Sequence, residues 1–237
     1  MEQTKVKALV VGGLDYKEKD RLVTLFTLEH GLITVLFKGV KSKNAKLTSA
    51  KELFVLGDFI YTNNNLKIVT SAEIITQFYN ITKNIKAYYC ACNMLEIIKT
   101  VLPVGEVSAD LFVDSLKCLS ELENGTSNPY LILSKYIIRV FEGFGYKYDL
   151  DVCSSCGIKL FNQKYMNLRY GDITCINCRV GEVELISSAV FMTLKMLSQT
   201  NYDKIHTLKI PNGIIMDSFN LLNKNFYHRF GKNLEIL

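Results

Sequence analysis

The sequence predicts an α+β multidomain chain: a small N-terminal β-barrel, then helical segments on both sides of a cysteine-rich metal module. Three observations predict it. Short runs rich in β-formers crowd the first eighty residues, the apolar period changes to helical steps of three and four near residue 80, and two Cys-x2-Cys pairs stand eighteen residues apart.

The β-rich runs are Lys5 to Val11, Arg21 to Leu28, Leu32 to Phe37, Leu53 to Leu56, Asp58 to Thr62 and Leu66 to Thr70. Turn signals separate them at Gly12-Gly13, His30-Gly31, Gly57-Asp58 and Asn63-Asn64-Asn65. Strands this short and closely spaced predict a small closed barrel. After it, Ile85, Tyr88, Tyr89, Cys92, Leu95 and Ile98 predict one apolar helical face. Ser108 caps a second helix, which Gly125 stops. Asn128 with Pro129 opens a third helix, whose core face is Leu133, Tyr136, Ile137, Val140, Phe141 and Phe144. Two more helical patterns follow the cysteines, Ser187 to Gln199 and about Asn212 to His228. The predicted division is 1–79 barrel, 80–149 helical, 150–182 metal module and 183–237 helical again.

Cys153, Cys156, Cys175 and Cys178 carry the clearest chemistry. Two residues between paired cysteines let a tight turn aim both sulfurs at one ion, and two such turns complete a tetrahedron. Gly157 stands where that turn needs a positive φ. Zinc is the expected ion, one per chain; four thiolates leave no open coordination position, so its role is folding rather than catalysis. An iron–sulfur cluster, two disulfides or a redox dithiol are the competing readings of the same residues. Disulfides suit a reducing compartment poorly, and no βαβ unit accompanies the pairs. The other three cysteines, Cys90, Cys92 and Cys118, fall in helical stretches as small core residues.

Composition narrows the function. With 49% hydrophobic and 22% charged residues the 237-residue chain is globular in type, and no window approaches a bilayer-spanning apolar length. The start lacks a secretion signal, and a cytoplasmic protein is expected. The net charge of +5 is modest, but Lys38, Lys41, Lys43, Lys46 and Lys51 fall in fourteen residues with no acid until Glu52. Placed in a flexible loop after a barrel strand, such ammonium groups can follow a phosphate backbone, or they can form a solvated face. Tyr16, Phe26, Phe37, Phe54, Phe59 and Tyr61 are candidate stacking surfaces, with alternation sending at least half of them inward. No phosphate-binding glycine loop ending in Lys-Ser/Thr, no His-Glu-x-x-His and no Gly-x-Ser-x-Gly is present, and His30, His206 and His228 lie far apart. No catalytic constellation is predicted, and the chain is expected not to be an enzyme.

In order, these pieces resemble the bacterial DNA repair and recombination protein RecO family over nearly the whole chain. The resemblance rests on Tyr16, Glu18, Asp20, Arg21, Thr27, Glu29, His30, Gly31, Lys38 and Gly39 in the opening stretch, and on Phe141, Glu142, Gly145 and Tyr146 ahead of Cys153. It implies an OB-fold barrel and a helical domain interrupted by a four-cysteine zinc module. It further implies a non-enzymatic job: binding single- and double-stranded DNA, annealing complementary strands, contacting single-stranded DNA-binding protein, and acting with RecR to load recombinase at gaps. On that reading Lys38, Lys41, Lys43 and Lys46 carry DNA contact, with Lys5, Lys7 and Arg21 extending the surface. A zinc-ribbon adaptor without DNA binding is the alternative, and a thiol oxidoreductase a more distant one. The loop carries lysines where family members often show arginines.

Overall fold

The computed structural model describes residues 2–42, 47–63, 66–161 and 163–236, and the chain divides into two compact units. The first comprises residues 1–79 and 95–113, the second 80–94 and 114–237.

In the first unit β1 (Gln3–Tyr16), β2 (Asp20–Thr27), β3 (Gly31–Phe37), β4 (Leu56–Thr62) and β5 (Ile68–Thr76) close a barrel in the order β1-β2-β3-β5-β4. Long β1 serves two neighbours: residues from Gln3 to Leu9 pair antiparallel with β4, and those from Ala8 to Tyr16 with β2. Closure between β3 and β5 is a single parallel pairing, Leu36 with Ile68. Alternate residues point inward and build an aliphatic core, Val6, Ala8, Val10, Val23, Leu25, Val35 and Val69, around the edge-to-face pair Phe37 and Phe59, 6.2 Å apart. Phe112 stacks edge-on against Phe26 at 5.2 Å, and the Glu106 backbone lies over Gly31.

Several strand boundaries differ from the sequence expectation, among them the end of β5, which runs to Thr76, six residues past the expected Thr70. Gly12-Gly13 does not turn; it lies inside β1, at a bulge after Val10. A Cβ on Gly13 would stand 3.0 Å from Arg21 Nε, so the glycine admits a neighbouring side chain instead of reversing the chain. Gly57-Asp58 lies inside β4, where a Cβ on Gly57 would stand 2.6 Å from the Glu73 carbonyl oxygen. Leu53 to Leu56 is not a strand of its own, because buried Phe54 takes a left-handed φ of 66° that breaks the extended run. Phe54 and Val55 still bond to the bulge: Phe54 N donates to Val10 O at 3.2 Å and Val10 N to Val55 O at 2.8 Å.

The helices are α1 (Ile85–Val101), α2 (Ala109–Asn124), α3 (Pro129–Gly143), α4 (Ser188–Gln199) and α5 (Asn212–Phe230). The predicted caps are in place: Asn128 Oδ1 accepts from Tyr130 N at 2.9 Å, and Ser108 Oγ from Leu111 N at 3.3 Å; Ser187 Oγ also caps α4, accepting from Val190 N at 3.2 Å. Central α3 is buried almost all round, packing on α4 and α5, and its Tyr136 hydroxyl bonds Ser115 Oγ at 2.8 Å. Lys135 is buried with its Nζ donating to Leu197 O at 2.7 Å, which satisfies the last turn of α4. The face of α1 is phased differently from expectation. Of the expected face Leu95 and Ile98 are buried, Tyr89 and Cys92 half-buried, and Ile85 and Tyr88 exposed, while Ala87, Cys90, Ala91, Met94 and Ile97 are buried beside them. Apolar residues occupy nearly every position there, so two overlapping faces fit the period, and the one with small residues faces inward.

Between α3 and α4, the strands β6 (Lys164–Asn167), β7 (Ile173–Cys175) and β8 (Val183–Ile186) form an antiparallel sheet in the order β7-β6-β8. Asn225 on α5 fastens this module through two buried bonds. It accepts from the Tyr148 hydroxyl at 2.8 Å and donates to Leu168 O at 2.6 Å.

Candidate metal centre and nucleic-acid interface

The two cysteine turns are built alike and meet at their tips. The first sits on a small hairpin bridged at Val152 and Lys159, in which Cys153 N donates to Ile158 O at 2.8 Å and Gly157, at φ 72°, returns its N–H to Cys153 O at 2.8 Å. The second leaves the end of β7, with Cys178 N donating to Cys175 O at 3.2 Å. Ser154 clamps the turns together, its N and Oγ both donating to Ile173 O, at 3.0 and 2.8 Å.

All four sulfurs lie within 4.8 Å of one another, and Cys156 Sγ is 4.0 Å from Cys175 Sγ. A tetrahedral thiolate site with metal–sulfur bonds of about 2.3 Å has sulfur–sulfur edges of about 3.8 Å. The donor set therefore fits a tetrahedral ion, and these four cysteines could hold one. Electrostatics point the same way. Burial pushes the Cys153 thiol up, but backbone N–H groups of Cys175, Cys156 and Ser155 aimed at its sulfur outweigh burial and bring it down to about 6. Hydrogen bonds to the Cys156 and Cys175 sulfurs push the Cys178 thiol up to about 12. Thiols this crowded ionise together only when a cation shares their charge.

The remaining cysteines are not part of this cluster. Cys90 and Cys118 are fully buried; burial pushes Cys90 up to about 12 and Cys118 well above its ordinary value. Cys92 is half-buried.

In the barrel the candidate DNA-binding residues separate into two places. The register pairs Asp15 with Arg21 and Arg21 with Phe37, so Arg21 stands beside the loop that leaves β3. Lys38 and Lys41 are exposed in that loop. Two backbone-anchored bonds hold the loop to the β1–β2 hairpin: Gly39 N donates to Asp20 Oδ1 at 2.7 Å and Lys41 N to Lys19 O at 3.1 Å. Lys43 and Lys46 lie outside the described residues. Lys51, the last of the run, pairs with Glu52. Lys5 and Lys7 are exposed on the other half of β1, opposite Ile60 and Asp58 of β4, and Lys5 pairs with Asp58 at 2.8 Å. Eight residues of strand separate Lys7 from Asp15, on the order of 25 Å.

The hairpin tip adds two exposed lysines that the sequence reading did not single out, Lys17 and Lys19. They alternate with Glu18 and Asp20, so no charge run marks them; their relevance comes from the loop docked beside them. The candidate stacking aromatics are core instead. Phe26, Phe37, Phe54, Phe59 and Tyr61 are buried, and only Tyr16 of that set is partly open, with Lys17 Nζ 5.4 Å from its ring. Among the described residues no helix is long and apolar enough to cross a membrane.

Comparison with known proteins covers both units. Residues 1–78 match the family described as Recombination protein O N terminal, and residues 82–235 the one described as Recombination protein O C terminal. The DNA repair protein RecO of Clostridium novyi is 27% identical over 236 residues, spanning 98% of this chain and 92% of the relative. The protein of that name from Clostridium perfringens is 26% identical over 233 residues, 97% and 95% of the two chains. That of Geobacter metallireducens is 32% identical over 185 residues, 75% of this chain and 73% of the relative. The two family matches run almost end to end, through the barrel, the helices and the cysteine module, and the chain belongs to the RecO family of recombination mediators in DNA repair.

Proposed function

We propose that this chain binds single- and double-stranded DNA through the hairpin-and-loop end of its barrel, anneals complementary strands, and helps load recombinase at gaps. Family membership supports the general role. The observation that carries the annealing reading is the burial of the barrel aromatics beside exposed lysines. A surface that stacks bases would compete with pairing, whereas one that meets phosphates lowers the repulsion between two polyanions and leaves base edges free.

On this reading Lys38 and Lys41 contact phosphate with Lys43, Lys46 and Arg21, and Lys5 and Lys7 extend the surface along β1. The four cysteines hold one zinc ion, which supplies folding energy to the module and leaves no position for a substrate. The role is non-enzymatic and cytoplasmic. The division of labour follows the chain: barrel 1–79 for DNA, metal module 150–182 for structure, and helical parts 80–149 and 183–237 for RecR and single-stranded DNA-binding protein, whose acidic, apolar tail would need an apolar groove with basic neighbours.

The test is annealing of complementary oligonucleotides coated with single-stranded DNA-binding protein, alongside a mobility shift on bare single strands. Acceleration of annealing with a shift on unrelated sequences is expected. A metal-loaded, folded protein that shifts no DNA would make the chain an adaptor instead.

A further inference from the structure

We infer that Asp15 fills the place of a DNA phosphate in the DNA-free protein, and that a phosphodiester displaces it from Lys41 and Arg21. This inference rests on the DNA-binding role proposed for the barrel. Asp15 Oδ2 accepts from Lys41 Nζ at 3.0 Å, and Asp15 Oδ1 lies 3.6 Å from Arg21 Nη1. The two cations come from different elements, the loop after β3 and the strand β2, and converge on one carboxylate at the end of β1. A phosphodiester presents the same pattern: one negative charge over two terminal oxygens, each open to a cationic donor.

Asp15 is well placed to leave. Its side chain is 59% exposed, and ion pairs this open hold weakly. The cradle does not depend on it. The Gly39–Asp20 and Lys41–Lys19 backbone bonds keep the loop on the hairpin, and Arg21 lies against Gly13, so both cations stay together when the carboxylate swings out. Lys41 first, by its hydrogen bond and its charge, holds the Asp15 carboxyl below the usual carboxylate range, with Arg21 and Lys51 assisting, so the stand-in is ionised wherever DNA would be. The acid has a purpose in this arrangement: it keeps the exposed Lys41 and the partly buried Arg21 from taking arbitrary anions and sets how tightly strands are held.

Full-length Asp15→Asn protein, titrated with a fluorescent oligothymidine at several sodium chloride concentrations, tests this. The variant should bind more tightly, because no ion pair has to be broken before the phosphate docks, and its advantage should shrink with rising salt, because salt already weakens the Asp15 pair in the parent. Asp15→Glu should keep the parent slope. Glu184→Gln makes the same charge change while releasing Lys224, its partner at 2.6 Å, and should leave the slope alone. Parent affinity and slope in a normally melting Asp15→Asn protein would overturn the inference, as would an equal gain from Glu184→Gln. The paired charge reversals Lys38→Glu and Lys41→Glu separate the two levels. If they weaken binding while Asp15→Asn changes nothing, only the role of Asp15 falls; if they too change nothing, the DNA surface itself is misplaced and the inference falls with it.

Discussion

Gly31→Ala and Gly39→Ala make a matched pair, because the two glycines share a backbone conformation and differ in surroundings. Their φ values are 63° and 64°, so an L side chain pays the same left-handed penalty at both, about 1–2 kcal/mol. Removing a glycine also narrows the unfolded ensemble, which returns about 0.4–1 kcal/mol in each case. The space differs. A Cβ on Gly31 would stand 1.9 Å from the Glu106 carbonyl oxygen and 2.9 Å from its carbon, whereas among the described residues nothing lies within 4 Å of one on Gly39. Both atoms at Gly31 are backbone, so relief needs the 105–107 segment or the β2–β3 turn to move, an overpacking cost of about 1–3 kcal/mol. Gly39→Ala should therefore cost roughly 0–1.5 kcal/mol, and Gly31→Ala about 1–3 kcal/mol more. Urea unfolding followed by circular dichroism reads the difference, and tyrosine fluorescence supplies a second probe since the chain has 13 tyrosines and no tryptophan. Equal midpoints for the two variants would refute the close approach of Glu106 to the turn, and with it the account of why a glycine stands there.

Four further outcomes are expected. Protein purified under reducing conditions should carry one metal ion per chain, and cobalt exchanged into the site should give the charge-transfer bands of a tetrathiolate; Cys175→Ser should lose both and melt lower. Metal affinity should rise with pH, because the Cys178 thiol, held near 12 without metal, must surrender a proton on binding while Cys153, near 6, has already lost its own above neutrality; calorimetry in buffers of differing ionisation enthalpy counts those protons. Asn225→Ala strands the Tyr148 hydroxyl and Leu168 O in the interior and should cost roughly 2–5 kcal/mol, against about 1–3 for Tyr148→Phe; similar melting for both would show that one of the two bonds is dispensable. In the metal-loaded native protein Cys92 should react first with a thiol reagent, since Cys90 and Cys118 are buried with raised thiols and four others are coordinated. Rapid reaction of two or more thiols would favour a redox dithiol.

Features written in a few adjacent residues were legible. Asn128 with Pro129 fixes the start of α3, Ser187 that of α4, and Gly157 the first cysteine turn, because each solves a local backbone problem within four residues of itself. The cysteine cluster was legible for a related reason: the spacing within each pair sets the turn, and one ion can serve both turns only if they meet. Glycine misled where its reason was remote. Gly12-Gly13 and Gly57 read as turns, yet Gly13 makes room for Arg21 and Gly57 for the Glu73 backbone, neighbours supplied by pairing across the sheet. The phase of α1 was illegible because Tyr88, Tyr89, Cys90, Ala91 and Cys92 are all apolar enough to face inward, and packing chose the small ones.

The basic end of the barrel was half legible, and the missing half concerns acids. A count of charges along the chain finds Lys38 to Lys51 because no carboxylate interrupts them, and passes over the hairpin tip because Glu18 and Asp20 cancel Lys17 and Lys19. In three dimensions the acids are not equivalent. Asp20 spends its carboxylate on the Gly39 amide and so builds the platform on which Lys41 stands, while Asp15 spends its own on Lys41 and Arg21 and so masks them. Removing Asp20 should undock the loop, and removing Asp15 should unmask it, although each changes net charge by the same unit. Electrostatic attraction to a polyanion follows from which cations are already satisfied, and that depends on hydrogen-bond geometry that a linear sum of charges does not contain.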